Sequence, residues 1–307
     1  MPVLLEEVLD LLNIRETGTY VDCTLGGGGH FWAIASRLSE GATLVGVDRD
    51  EDAVDLNRKR IGSHSFSIVI SRCRFSQFDT VLKENGIGRV DGFVLDLGVS
   101  SHQIDEPERG FSYMQDSVLD MRMDRESGVS AKELLLRSSQ DELADILGRF
   151  GEIRNPSRMA RALKEWLTHS TLDTSRDIQE CIKKEYGPHV KYKVLSKLFQ
   201  ALRIAVNREL EELKMFLEKS LKFLAPGGRL AVISYHSLED RIVKEFIRAN
   251  EGRCECPSDL PVCVCDKPPL LKRVNRKVVV PGDEELKTNP RSRSARLRVV
   301  SRTSLEG

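Results

Sequence analysis

"YVDCTLGGGGH", Tyr20 to His30, decides how the chain is read. A short apolar run ends in four consecutive glycines, Gly26 to Gly29, and a helical pattern starts at Phe31. Such a glycine run is either a flexible linker or a turn that lets backbone approach a ligand, because glycine lacks a Cβ and adopts positive φ freely. The flanking sequence chooses between them. "ATLVGVD" at 42–48, "SFSIVIS" at 65–71 and "VDGFVLDLG" at 90–98 are further buried-strand candidates. Helical spacing fills "FWAIASRLSE" at 31–40 and "EDAVDLNRKRI" at 51–61. Strands alternating with helices predict βαβ units and a parallel sheet. In an open parallel sheet ligands bind beyond the carboxyl ends of the strands. The glycine loop, Asp48 and Asp96 all fall at such ends, which marks a site.

The loop is not a phosphate cradle of the P-loop kind, which would continue into Gly-Lys-Ser/Thr. A dinucleotide fingerprint would place its third glycine where Phe31 stands, so Gly26 and Gly28 supply only its first two positions. Asp48 lies 20 residues beyond Gly28 (48 − 28) at the end of the second strand. A carboxylate there can accept hydrogen bonds from both hydroxyls of a ribose. The pattern fits NAD and also S-adenosylmethionine, which carries a ribose and a cationic sulfonium but no phosphate. The plainer readings are a strand–helix turn for the loop and a helix N-cap for Asp48.

Bulk properties bound the rest. The 307 residues allow one large domain with an insertion, or two domains. Basic and acidic residues balance at 47 each, so net charge selects no partner. No run approaches the roughly 18 apolar residues of a membrane helix. The opening "MPVLLEEVLDLL" carries Glu6, Glu7 and Asp10 and reads as an amphipathic helix rather than a secretion signal. A cytoplasmic setting is expected.

From about 130 to 195 the chain reads as helices without an intervening strand. One long helix is expected from about Val194 to Leu224, stopped by Pro226, Gly227 and Gly228. "RLAVISY" at 229–235, "RKVVVP" at 276–281 and "ARLRVVS" at 295–301 bring the strand count to seven. Seven strands, the last antiparallel, favour a methyltransferase sheet over a dehydrogenase one. Charge is segregated: residues 149–200 hold eleven basic and six acidic residues, and 267–302 eleven and three. Two basic segments can form a phosphate-binding face. The alternatives are a solvated helix face and an edge strand with snorkelling side chains.

These residues resemble a known family. "PVLLEEVLDLL", "DCTLGGGGH", "GVDRD", "DLGVSSHQ", "RGFSYM", "LDMRMD", "FQALRIAVNRELEEL", "APGGRLAVISYHSLEDRIVK" and "NPRSRSARLR" are similar, in order, to segments of the ribosomal RNA small subunit methyltransferase H family. The family often has a histidine before "PVLL", where Met1 stands here. The resemblance implies an α/β fold, a seven-stranded class I (Rossmann-like) methyltransferase sheet formed by residues 1–104 and 201–307, with a helical domain for RNA recognition inserted at 105–200. It implies transfer of a methyl from S-adenosylmethionine to the exocyclic N4 of a cytidine in 16S ribosomal RNA of the small subunit. By the same resemblance the cofactor contacts fall on Gly28, Gly29, His30, Asp48, Phe75, Asp96 and Gln103. No membrane partner is implied, and a homodimer stays open.

The chemistry sets its own demands. The cytosine amino lone pair is delocalised into the ring, so transfer needs in-line alignment and an acceptor near the NH₂. Related amino-methyltransferases use Asp/Asn/Ser-Pro-Pro-aromatic after the fourth strand. "DLGVSS" keeps the acid, Asp96, but has neither proline nor aromatic. Phe111, Tyr113, Tyr235 and His236 are candidates for stacking on the base. Asp96 is expected to orient or accept from N4, with Asn207 and His236 lining the base pocket. Asn207 also reads as a capping or interdomain hydrogen-bonding residue. Cys254, Cys256, Cys263 and Cys265 form a C-x-C, six residues, C-x-C cluster. Four thiolates suit tetrahedral zinc, although zinc ribbons more often use C-x₂-C. The competing functions are an NAD-dependent oxidoreductase and a nonenzymatic ribosome-assembly factor.

Overall fold

The structure, a computed structural model, describes residues 1–187, 192–252 and 268–304. The chain divides into two units, Met1–Gly98 together with Leu210–Gly307, and Val99–Glu209. The expected ends of the insertion, 105 and 200, lie inside the second unit. Among the described residues no helix is long and apolar enough to cross a membrane.

The first unit opens with α1 (Leu5–Leu12), β1 (Thr19–Asp22), α2 (Gly29–Ala35), β2 (Thr43–Asp48), α3 (Glu51–Arg58), β3 (Ser67–Arg72), α4 (Phe78–Glu84) and β4 (Val90–Asp96). Asp50, not Asp48, is the N-cap of α3, accepting from the Asp52 N–H at 3.2 Å. The second unit holds α5 (Ser101–Asp105), α6 (Ala131–Arg137), α7 (Gln140–Gly151), α8 (Pro156–Leu167), α9 (Ser175–Tyr186) and α10 (Tyr192–Asn207). Capping boxes start α6 (Ser130 with Glu133) and α7 (Ser139 with Glu142), and Pro156 opens α8. Their apolar stripes close over one core that includes Leu135, Leu147, Leu163, Ile178, Leu198 and Leu202.

α11 (Glu209–Phe223), β5 (Leu224–Ser234), α12 (Ser237–Asn250), β6 (Leu271–Arg273), α13 (Asp283–Thr288) and β7 (Arg296–Arg302) complete the chain. The seven strands form one sheet in the order β3-β2-β1-β4-β5-β7-β6. β1 to β5 pair in parallel, and β7 runs antiparallel to both β5 and β6. This is the expected seven-stranded Rossmann-like arrangement.

Alternation sorts side chains to the two faces of the sheet. Phe93 and Leu95 of β4 join one core with Phe78 and Phe216, while Val94 joins the other with Leu4, Phe31 and Leu297. Phe78, Phe93 and Phe216 meet edge-to-face with centroids 4.9 to 5.7 Å apart. Each such pair contributes about 0.5–1.5 kcal/mol beyond area burial.

Three local expectations change. The long helix is two, because Arg208 adopts φ 52° between them. The neighbours hold that break: Asn207 accepts from the Met123 N–H at 2.9 Å, and Glu209 pairs with Arg203 through two 3.0 Å bonds. "APGG" does not precede β5 but lies inside it, where the register against β4 shifts between Val90 and Gly92. The sixth strand is Leu271–Arg273 rather than 276–281. Val279 makes only an isolated bridge to Leu297, on β7.

Candidate active site

Three apolar strands of the first unit end in aspartate: β1 at Asp22, β2 at Asp48 and β4 at Asp96. Parallel pairing brings these ends to one edge of the sheet, with Asp22 level with Gly46 and Val94. The glycine loop leaves β1 at this edge. Gly26 and Gly28 both take positive φ, 46° and 79°. A Cβ on Gly28 would collide with Asn57 Oδ1 and sit 2.7 Å from Trp32, so only glycine fits. The loop is pinned from behind. Asn57 donates to the Gly26 carbonyl at 2.8 Å and accepts from Trp32 Nε1 at 2.8 Å, and Arg60 donates to the Gly27 carbonyl at 2.8 Å. It is a held turn and not a linker.

Asp48 faces the loop. One carboxylate oxygen accepts from the Gly26 N–H at 2.8 Å and the other from the Asp50 N–H at 2.9 Å. A carboxylate offers about four lone-pair sites, so each oxygen retains one for a vicinal diol. Burial raises the Asp48 pKa, and the two backbone bonds oppose that rise.

Asp96 is held by a side chain where Asp48 is held by backbone. The Tyr235 hydroxyl donates to Oδ1 at 2.8 Å, and the Asp96 N–H donates to Thr24 Oγ1 at 2.7 Å. Oδ2 lies 3.8 Å from His30 Nδ1. The side chain remains 22% exposed, so a ligand can reach it. Burial lifts its pKa to about 7; the Tyr235 hydrogen bond pulls it down, and Glu239 and Glu285 push it up.

The His30 ring has a definite orientation. Nε2 lies 3.0 Å from the Val3 carbonyl, which can only accept, so Nε2 carries the proton. Nδ1 is then the lone-pair nitrogen and faces Asp96. Burial lowers the ring's pKa, which keeps it neutral, while Asp22, the Val3 carbonyl and Glu285 act in the opposite sense.

Asp22 was not among the residues expected from sequence. It is 1% exposed, and burial raises its pKa to about 6; His30 and the Thr24 N–H lower it, Asp96 and Asp48 raise it. Its signal was nonetheless present. "YVD", "VGVD" and "VLD" are the same pattern, an apolar strand closed by an acid.

The first unit therefore brings together the glycine loop, His30, Asp48 and Asp96. Phe75, on the turn after β3, is half-buried with its ring edge-on to Phe216 at 5.9 Å. Phe78 is fully buried in the core. His236 caps α12: Nδ1 accepts from the Glu239 N–H at 3.4 Å, and Nε2 lies 3.1 Å from Glu239 Oε1. Gln103 and Asn207 belong to the other unit. Gln103 accepts from the Ser100 N–H at 3.0 Å in a capping box. Asn207 donates to the Met121 carbonyl at 2.7 Å and to the Arg203 carbonyl at 2.9 Å, and it accepts from Met123. It thereby ties α10 to the "LDMRMD" segment. Tyr113, in the same unit, packs edge-on against Phe199 at 5.3 Å. The four cysteines Cys254, Cys256, Cys263 and Cys265 lie outside the described residues.

The two basic segments are partly neutralised. Arg298 and Arg296 donate to Asp240 at 2.7 and 3.2 Å, with Lys244 3.3 Å away, so one buried carboxylate gathers three cations. In the helical unit Arg149 pairs with Asp145 and Arg158 with Glu185. Arg293 is exposed.

The chain is similar to known proteins over most of its length. It is 43% identical over 299 residues to "Ribosomal RNA small subunit methyltransferase H" of Clostridium botulinum, covering 97% of this chain and 96% of that one. A protein of the same name from Citrifermentans bemidjiense is 45% identical over 304 residues, covering 98% and 97%. The one from Fusobacterium nucleatum is 40% identical over 302 residues, covering 98% and 96%. Among solved structures, an rRNA methylase from Streptococcus thermophilus aligns over 99% of this chain and 98% of its own at a TM-score of 0.45 and 10% identity. The profile described as the MraW methylase family matches residues 1–303. The chain belongs to the MraW methylase family.

Proposed function

We propose that the protein methylates the exocyclic N4 of a cytidine in 16S ribosomal RNA of the small subunit, with S-adenosylmethionine as methyl donor, in the cytoplasm. The observation that carries this reading is the convergence of the held glycine loop, Asp48 and Asp96 on one edge of the sheet, in a chain of this family. The names of the relatives supply the substrate class.

The residues fit the donor. Asp48 keeps acceptors for the two ribose hydroxyls. Gly28 lets backbone come close where a side chain cannot stand. Asp22, Asp48 and Asp96 supply negative charge for a sulfonium. Phe75 offers an aromatic face for the adenine. When bound, S-adenosylmethionine presents an electrophilic methyl on a cationic sulfur.

Asp96 is the acceptor for the amine. As N4 bonds the methyl carbon the carbon–sulfur bond would break, its electron pair leaving with neutral S-adenosylhomocysteine, and the proton of the N4 that has become cationic would pass to a carboxylate held beside it. With a pKa near 7, Asp96 is about half ionised at neutral pH and takes a proton readily. The target cytidine must leave its stack to reach the strand ends. Within the sheet unit His236 enters as a support, its Nδ1 spent on the Glu239 N–H, and within the helical unit Asn207 spends its amide on Met121 and Met123. The helical unit, with Gln103 at its start, is the part assigned to RNA recognition. Zinc at the four cysteines rests on spacing alone, and metal analysis of protein purified without chelator reads it directly.

Asp96→Ala tests the reading. Transfer to small subunits should fall by at least a thousandfold, on the order of losing both a general base and an electrostatic partner. Near-normal turnover of the variant sinks the assignment. Calorimetry separates the alternatives: binding of NAD but not S-adenosylmethionine favours an oxidoreductase, and binding of neither favours an assembly factor.

A further inference from the structure

Tyr235 stands one residue past the end of β5. β5 pairs with β4 so that Ile233 lies opposite Asp96, which carries Tyr235 just beyond the carboxylate. Its backbone N–H donates to Glu239 Oε2 at 2.8 Å, and its ring packs against the apolar core that contains Val94 and Ile233. The residue is therefore held at the backbone and along the ring, and its hydroxyl reaches Asp96 Oδ1 at 2.8 Å. From sequence Tyr235 was a candidate to stack on the base. The geometry gives its oxygen a different task.

We propose that Tyr235 is a positioning residue for Asp96: its hydroxyl fixes Oδ1 and leaves Oδ2 as the oxygen that accepts the N4 proton. The inference rests on the reading of Asp96 as that acceptor. A hydrogen bond from a neutral donor stabilises the charged form of a carboxylate over the protonated form. Burial and the acidic neighbours of Asp96 act the other way. The groups facing it are Tyr235 at the end of β5, His30 on α2, Glu239 on α12, Glu285 on α13 and Asp22 at the end of β1. Glu239, Glu285 and Asp22 all disfavour a further negative charge, and the buried neutral His30 offers only a lone pair. Tyr235 is thus the neighbouring side chain that donates to the carboxylate. Burial, then Asp96 itself, Glu239 and Glu285 drive the phenol's own pKa well above its usual 10, so Tyr235 remains a donor and never serves as the base.

Tyr235→Phe removes one oxygen and keeps the ring. If Tyr235 acts through Asp96, the acidic limb of the single-turnover rate against pH moves up by about one unit. The rate then drops about tenfold at a pH one unit below the limb and recovers to within about twofold well above it. The KM for S-adenosylmethionine changes by less than about threefold. The carboxyl ¹³C signal of labelled Asp96 in the ligand-free protein should titrate higher in the variant by the same interval, which reads the effect without turnover. An unmoved limb, or a loss equal at every pH, overturns the proposal. Asp96→Asn, measured alongside, separates the two levels. If Asp96→Asn stays active the acceptor reading itself fails; if it is inactive while the Tyr235→Phe limb is unmoved, only the role of Tyr235 fails.

Discussion

Replacing Asp22 by asparagine should make the ligand-free protein more stable and a poorer binder of its donor. Asp22 is buried, and its pKa rises from an ordinary 3.8 to about 6, a difference of about 2.2 units. At 1.36 kcal/mol per unit this is about 3 kcal/mol. The sign follows from proton binding. The folded state holds this proton more tightly than the unfolded chain, so stability is greatest below about pH 4, falls as pH rises to about 6, and is level above that. Asparagine does not titrate, and its carbonyl can still accept from the Thr24 N–H, a bond of 3.1 Å in the present structure. The variant should gain up to about 3 kcal/mol at about pH 8 and little at about pH 4.

Urea unfolding across this range measures the difference. The chain has two tryptophans, Trp32 in the sheet unit and Trp166 in the helical one, so a Trp166→Phe background lets fluorescence follow the sheet unit. Asp22→Asn also removes a charge proposed to face the sulfonium. Affinity for S-adenosylmethionine should fall more than affinity for S-adenosylhomocysteine, whose sulfur is neutral. A stability difference that does not grow between about pH 4 and pH 7 refutes the electrostatic reasoning. Equal loss of both ligands refutes the assignment of Asp22 to the sulfonium.

Other perturbations act on separate parts of the account. Gly28→Ala places a Cβ against Asn57 and Trp32 at a positive φ, so it should cost about 1–3 kcal/mol and weaken donor binding; calorimetry that finds wild-type affinity contradicts the held-loop description. Asn207→Ala removes the bonds to the Met121 carbonyl and the Met123 N–H, and should destabilise the helical unit by about 1–3 kcal/mol, seen as a lower urea midpoint for Trp166. A midpoint unchanged from wild type would show that water replaces those bonds.

The fold was legible where local pattern and topology agree. The first four strands, the helices between them and the acids at strand ends follow from alternation and from the rule that parallel ends share one edge. Asp48 and Asp96 were found that way. Asp22 was missed because a lone acid after two core residues reads as a strand terminus, and its importance depends on His30, Asp48 and Asp96 lying around it. Tyr235 was noticed for its ring, whereas its bond to Asp96 arises only from the β4–β5 register. The sixth strand shows the limit of propensity. "VVV" at 278–280 is the better strand former, but the outer edge of β7 is shared, with Leu271–Arg273 on Val300–Arg302 and Val279 on Leu297. The break at Arg208 is likewise invisible in a helical stripe, because it is set by what Asn207 and Glu209 bind.

The most direct measurement is methyl transfer by the purified protein onto small ribosomal subunits from cells that lack it, followed by mass mapping of the modified nucleotide. The account predicts one cytidine of 16S ribosomal RNA made heavier by a single methyl on N4, dependent on S-adenosylmethionine and lost in Asp96→Ala. A methyl on a ring carbon, on a ribose or on another base, or no transfer to subunits at all, would contradict it.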